Sequence, residues 1–312
     1  GSDYALTPLA RDDYRRMSEA GITVVKAVGE QQAWAEELGF YFWGPLTGRA
    51  WPELLYESQY LGPALFLDEP AVGTRDHDLR PRLAREPAFR KAITPAVAFE
   101  EYEKHYAKTL SEGPPRAFLK ALGARKEIDL GSLDFAQQNL YNWETMPETA
   151  AWALTRDAAV PSAMVFEPPG RMGTRRTLPE WNMAYGTRFR TDDARVLPAV
   201  IFGFLRGAAR VSGKQWGVSI YGAVERSDAY FWLTEAYDRG ATRFFFWDNY
   251  QLACVPFGEV LAMTRHLRAH ARQHARLKRP ATRAIRLPVG YGLGHTHTGR
   301  GNLWGLPELN LE

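Results

Sequence analysis

Two segments of the chain join a short apolar run directly to a glutamate and a proline: Ala64-Leu65-Phe66-Leu67-Asp68-Glu69-Pro70 and Ser162-Ala163-Met164-Val165-Phe166-Glu167-Pro168. A run of this length, stopped by turn-forming residues, reads as a buried strand. Desolvation at such a strand end disfavours an ionised carboxylate, so its pKa rises and the group can deliver a proton. Two carboxyl groups flanking one bond supply the acid and the base or nucleophile that glycosidic cleavage requires. Glu69 and Glu167 are therefore the candidate catalytic pair, with Asp68 a candidate binding group beside Glu69. The competing reading is structural, because Asp and Glu are common where a helix begins and its N–H groups need acceptors.

Aromatic residues extend the pattern. The chain holds 10 Trp, 14 Tyr and 16 Phe, and many stand near expected strand ends, as in Phe40-Tyr41-Phe42-Trp43 and Phe244-Phe245-Phe246-Trp247. Aromatic faces fill ordinary cores, and they also stack on the C–H faces of sugar rings. Trp43 and Trp247 are singled out because each is the last bulky residue before a loop. Tyr221, Asp248 and Asn249 also fall at strand ends and are candidate pocket residues, although Asp248 equally suits a turn cap. Glu180 and Glu225, both in loops, are reserve carboxylates. Tyr141-Asn142-Trp143-Glu144 falls within helical periodicity, which puts Glu144 on a helix surface.

Other chemistries find little support. One cysteine, Cys254, excludes an intrachain disulfide and a cysteine-cluster metal site. His295 and His297 form a pair without a third ligand of matching type nearby, so neither metal nor cofactor is expected. A phosphate-binding loop and a Gly-x-Ser-x-Gly nucleophile motif are both missing from the sequence. The net charge of +3 is small, and the basic residues of Glu259–Arg279 fit the solvated face of an amphipathic helix rather than a nucleic-acid surface. No apolar run reaches the roughly 18 residues that a membrane span needs. Gly1-Ser2 reads as a cloning scar, which leaves a removed signal peptide open; the compartment is not legible, with an extracellular or periplasmic setting slightly favoured over a cytoplasmic one. The oligomeric state is not legible.

The elements that must position these residues follow from periodicity. Helices are expected over Leu9–Ala20, Gln31–Leu38, Phe99–Leu110, Ala117–Leu122, Phe135–Leu154, Pro198–Val211, Ala229–Arg239 and Glu259–Arg279. Strands are expected over Gly21–Ala27, Gly39–Trp43, Ala64–Leu67, Ser162–Phe166, Trp216–Tyr221 and Ala241–Trp247. Alternation of the two types argues for a parallel sheet with helices outside it.

Three fragments, spread over roughly residues 20–270, resemble the large clan of (β/α)8 glycoside hydrolases often called clan A. Leu67-Asp68-Glu69-Pro70 is similar to the clan's Asn-Glu-Pro at the end of its fourth strand, where the Glu is the acid/base. Phe246-Trp247-Asp248 resembles the end of its eighth strand, where the Trp floors the sugar subsite. Lys214-Gln215-Trp216-Gly217-Val218-Ser219 looks like the approach to its seventh strand. Two positions depart from the pattern. Asp68 replaces the usual Asn, and Ile220 stands where the nucleophilic Glu belongs.

The resemblance and the residues together imply an α/β chain. They suggest a (β/α)8 TIM-like barrel over residues 1–280, with a helical insertion at about 87–158 and a C-terminal extension over 281–312. The expected activity is hydrolysis of an oligo- or polysaccharide by Glu69 and Glu167, without cofactor, nucleic-acid or membrane partner. Trp43, Asp68, Tyr221, Trp247 and Asp248 would bind the sugar. The alternative is a carbohydrate-binding protein of the same build that has lost catalysis.

Overall fold

Every strand pairing among the described residues is parallel, which requires each strand to be followed by a crossover that returns the chain to the same end. The computed structural model describes residues 9–44, 59–62, 66–68, 70–112, 141–144, 147–156, 164–166, 196–220, 226–246, 255–275, 284 and 286. Within these, α1 (Arg11–Ala20) leads to β1 (Val24–Lys26), and α2 (Gln31–Glu37) leads to β2 (Tyr41–Trp43). Next come β3 (Phe66–Asp68), α3 (Pro70–Gly73), a π-helical turn over Thr74–Leu79, α4 (Arg80–Arg85), α5 (Pro87–Ala92) and α6 (Pro95–Glu112). Then follow β4 (Tyr141–Glu144), α7 (Pro147–Arg156), β5 (Met164–Phe166), α8 (Val196–Ser212) and β6 (Trp216–Ile220). The last elements are α9 (Arg226–Asp238), β7 (Arg243–Phe246) and α10 (Phe257–Gln273). No helix among the described residues is long and apolar enough to cross a membrane.

The expectation of a closed (β/α)8 barrel is corrected. Most described residues are helical, and the strands form two separate sheets, one of β1-β2 and one of β3-β4-β5-β6-β7. Among the described residues no strand ladder joins β2 to β3 or β7 to β1. Alternating periodicity specifies a parallel sheet and a helix layer, but closure depends on hydrogen bonds at two particular edges, which periodicity does not encode. The expected helix over Phe135–Leu154 is also interrupted. Tyr141-Asn142-Trp143-Glu144 is a strand, and its aromatic–polar alternation is the period of two that a longer helical window conceals.

Packing accounts for the helix layers. All five residues of β6 are buried, as expected for a central parallel strand. Trp216 lies 5.4 Å, centroid to centroid, from Phe202 of α8, which in turn meets Trp232 of α9 edge-on. Phe99, Tyr102 and Tyr106 of α6 surround Trp152 of α7, whose indole N–H donates to Glu103 at 3.1 Å.

Helix α10 serves both sheets. Leu261 packs with Val25, Ala27 and Phe42 of the small sheet, while Val260 and Met263 pack with Ile220 of the large one. Its Arg268 also donates from Nε to the carbonyl of Gly21 at 3.0 Å. That glycine terminates α1 with φ 94°, a conformation costly for any residue with a Cβ. Leu261, 2 % exposed, is the side chain by which α10 anchors the small sheet. Replacing Leu261 with Ala should cost about 2–5 kcal/mol in urea unfolding; a loss below about 1 kcal/mol would show that α10 does not carry this anchor.

Candidate functional site

The small sheet provides the best-defined strand end. Val25, Ala27 and Phe42 are buried against helices, so the alternation of a strand leaves Val24, Lys26, Tyr41 and Trp43 on the other face. Val24 is 37 % and Tyr41 47 % exposed; Lys26 is exposed and Trp43 half-buried. Lys26 and Trp43 are partners in the ladder, and the Lys26 ammonium stands 5.2 Å from the centre of the Trp43 indole, within cation–π range.

The backbone beneath this pair is held from several sides. The Tyr14 hydroxyl donates to the Lys26 carbonyl at 3.0 Å, and the Ala27 N–H donates to the Trp43 carbonyl at 2.9 Å. Gly44 follows with φ 147°, and a Cβ there would sit 2.4 Å from the Ala27 carbonyl oxygen. The buried Tyr60 hydroxyl donates to the Gly44 carbonyl at 2.9 Å. Burial raises the Tyr60 phenol well above its ordinary pKa, because the charged form has no water to stabilise it.

In the large sheet, β3, β4 and β5 are consecutive, so their C-terminal ends leave by one edge. Asp68, the last residue of β3, pairs with Trp143, and the same row continues through Val165 and Gly217 to Arg243. Glu144, the last residue of β4, pairs with Phe166, whose partner is Val218. On β6, Trp216, Val218 and Ile220 join the clusters that helices cover. Ser219 therefore faces the opposite side. It is 2 % exposed, and its hydroxyl has no hydrogen-bond partner among the described residues.

Of the residues picked from sequence, Trp43 lies at the end of β2 and Asp68 at the end of β3. Glu69, Glu167, Tyr221, Trp247 and Asp248 lie outside the described residues, as do Glu180, Glu225, Asn249, Cys254, His295 and His297. Ile220, which occupies the nucleophile's place in the resemblance, is 2 % exposed and packs with Ala229, Leu233, Val255, Val260 and Met263. Its role is to seal β6 against α9 and α10.

Sequence reasoning missed three polar features. Lys26 ends a strand, so the rule that selected Asp68 would have found it. Glu144 was hidden by the reading of residues 141–144 as helix. The third is a His105–Asp78 pair, with Nδ1 2.6 Å from the carboxylate, tying α6 to the π-helical turn. π turns often mark functional positions, but here the pair joins two helices, and a separation of 27 residues leaves no local pattern to find. No cluster of three or more His, Cys, Asp or Glu suited to a metal occurs among the described residues.

Comparison with known proteins finds no matching family model and no matching curated relative.

Two variants test the construction beneath Trp43. Gly44→Ala should destabilise the chain by about 1–3 kcal/mol and move the Trp43 fluorescence, because the new Cβ meets backbone rather than a yielding side chain; unchanged stability and emission would contradict the close approach. Tyr60→Phe should lose about 1 kcal/mol at neutral pH through the missing bond to Gly44. The wild type should also lose stability as pH rises above 10, since the unfolded phenol ionises before the buried one. The variant should lose less over that range, and equal alkaline slopes would exclude Tyr60 as their source.

Proposed function

We propose that the protein is a glycoside hydrolase acting on an oligo- or polysaccharide, with Glu69 as general acid and Glu167 as its partner. The observation that carries this reading is the order β3-β4-β5 in one parallel sheet. Each Glu-Pro junction directly follows a strand of that sheet, and the two strands run in the same direction with one strand between them. Two strand spacings amount to roughly 9–10 Å, close to the upper end of the separation at which two carboxyl groups hold a water and a sugar between them.

In this mechanism Glu69 protonates the leaving oxygen while Glu167 removes a proton from the attacking water. Asp68, Tyr221, Trp247 and Asp248 bind the sugar around the broken bond, and Trp43 offers a stacking surface. The chemistry needs no metal, since charge developing on the ring is stabilised by the second carboxylate. A carbohydrate-binding protein without turnover is the second reading, favoured by one observation: Ile220 is committed to the core at the position where the resembled clan keeps its nucleophile.

Glu69→Gln and Glu167→Gln should each lower hydrolysis by orders of magnitude and leave the melting temperature unchanged. Full activity in either variant would remove that residue from the mechanism. Sugar binding without release of reducing ends across a broad panel would favour the second reading.

A further inference from the structure

We propose that Asp78 and His105 are positioning residues for Glu69: their hydrogen bond holds the π-helical turn after α3, and with it the helix whose first residue is joined to the general acid. The inference rests on the reading of Glu69 as the acid of a hydrolase, and it extends that site's support to α6.

Glu69 is bonded to Pro70, the first residue of α3, so whatever fixes Pro70 limits where the Glu69 carboxyl can stand. Four residues are too few for a helix to hold itself, and α3 is held from outside. Pro70 and Ala71 are buried, and Ala71 shares a core cluster with Tyr102 and Tyr106 of α6. The buried Thr74 hydroxyl donates to the Pro70 carbonyl at 2.8 Å.

The next turn, Thr74–Leu79, is π-helical. Such turns are rare because α-helical winding is ordinarily the more stable, so contacts outside the turn must hold this one. Leu79 at its end is buried in the core. Beside it, the Asp78 carboxylate accepts from His105 Nδ1 at 2.6 Å. The same imidazole closes on the start of the turn: a Cβ at Gly73 would sit 2.7 Å from His105 Nε2. One side chain of α6 thus bears on both ends of the π turn. Asp76, by contrast, pairs with Arg75 and Arg80, within the turn and the start of α4, and those pairs do not tie it to α6.

Without the Asp78–His105 bond the turn can relax to α-helical winding. That changes the angle at which α3 meets the turn, so Pro70 and the residue bonded to it move against β3. A shift of about 1 Å at a catalytic group can cost a hundredfold in rate, whereas ground-state sugar binding depends on other side chains. Loss of the tie therefore acts on kcat rather than on KM.

The test is steady-state hydrolysis by the full chain on soluble fragments of β-glucan, xylan, mannan, pectin and chitin, below the melting temperature of every variant. On the substrate that the wild type cleaves, Asp78→Ala and His105→Ala should each lower kcat about tenfold or more and leave KM within about twofold. His105→Asn keeps a donor at the place of Nδ1 and should restore most of the rate. Gly73→Ala raises helix propensity yet sets a methyl against the ring, so it should lower kcat without weakening the helix. Amide hydrogen exchange over residues 71–79 should quicken in Asp78→Ala and His105→Ala. A merely structural tie would lower the melting temperature and leave kcat of the folded variants at the wild-type value; that result, or unchanged exchange, would overturn the proposal. Turnover by the wild type with an undiminished kcat in Asp78→Ala would count against this role alone. No turnover by the wild type on any of the fragments would overturn the hydrolase reading and this role together.

Discussion

Parallel pairing, with helices packed on the sheets, is the constraint from which the rest of the structure follows. When strands share a direction, their C-terminal residues leave by the same edge, and residues remote in sequence become neighbours there. Asp68 and Glu144 end adjacent strands, and Phe166 ends the next. The pairing demands long crossovers, and the helices that provide them carry the apolar surface of the core. Helix α10 shows the dependence most clearly, since Leu261 packs on one sheet while Val260 and Met263 pack on the other.

The same constraint divides each strand by face. On β6, Trp216, Val218 and Ile220 are spent on helix packing, and the buried Ser219 hydroxyl is directed to the other side. On β1 and β2, burial of Val25 and Phe42 leaves Lys26 and Trp43 on the exposed face. An exposed surface thus arises as the complement of the core. Its precision comes from the backbone bonds around Ala27, Gly44 and Tyr60 rather than from contacts among the exposed side chains themselves.

Local pattern made several elements legible. Gly21 announces the end of α1, and the apolar runs at 24–25, 41–43 and 216–220 announce β1, β2 and β6. Closure was not legible, because a strand's sequence does not reveal which neighbour its edge will meet, and the described residues form two sheets instead of the expected barrel. Strand β4 escaped notice because four residues of alternation were outweighed by helical signal on both sides. Of the site, sequence found Trp43 and Asp68 at strand ends. It could not find the Lys26–Trp43 contact, which depends on the register between two strands, nor the pairing of Asp78 with His105.

In the proposed hydrolase reading, the Glu-Pro junctions after β3 and β5 act together across two strand spacings. That geometry has a stereochemical signature. Proton NMR of the first sugar anomer released by the wild-type protein, recorded before mutarotation, reads it directly. Inversion at the anomeric carbon is the result the proposed reading predicts, since strands two spacings apart, roughly 9–10 Å, leave room for water and sugar between groups carried at their ends. Retention would contradict it, because a covalent intermediate needs carboxyl groups only about 5 Å apart.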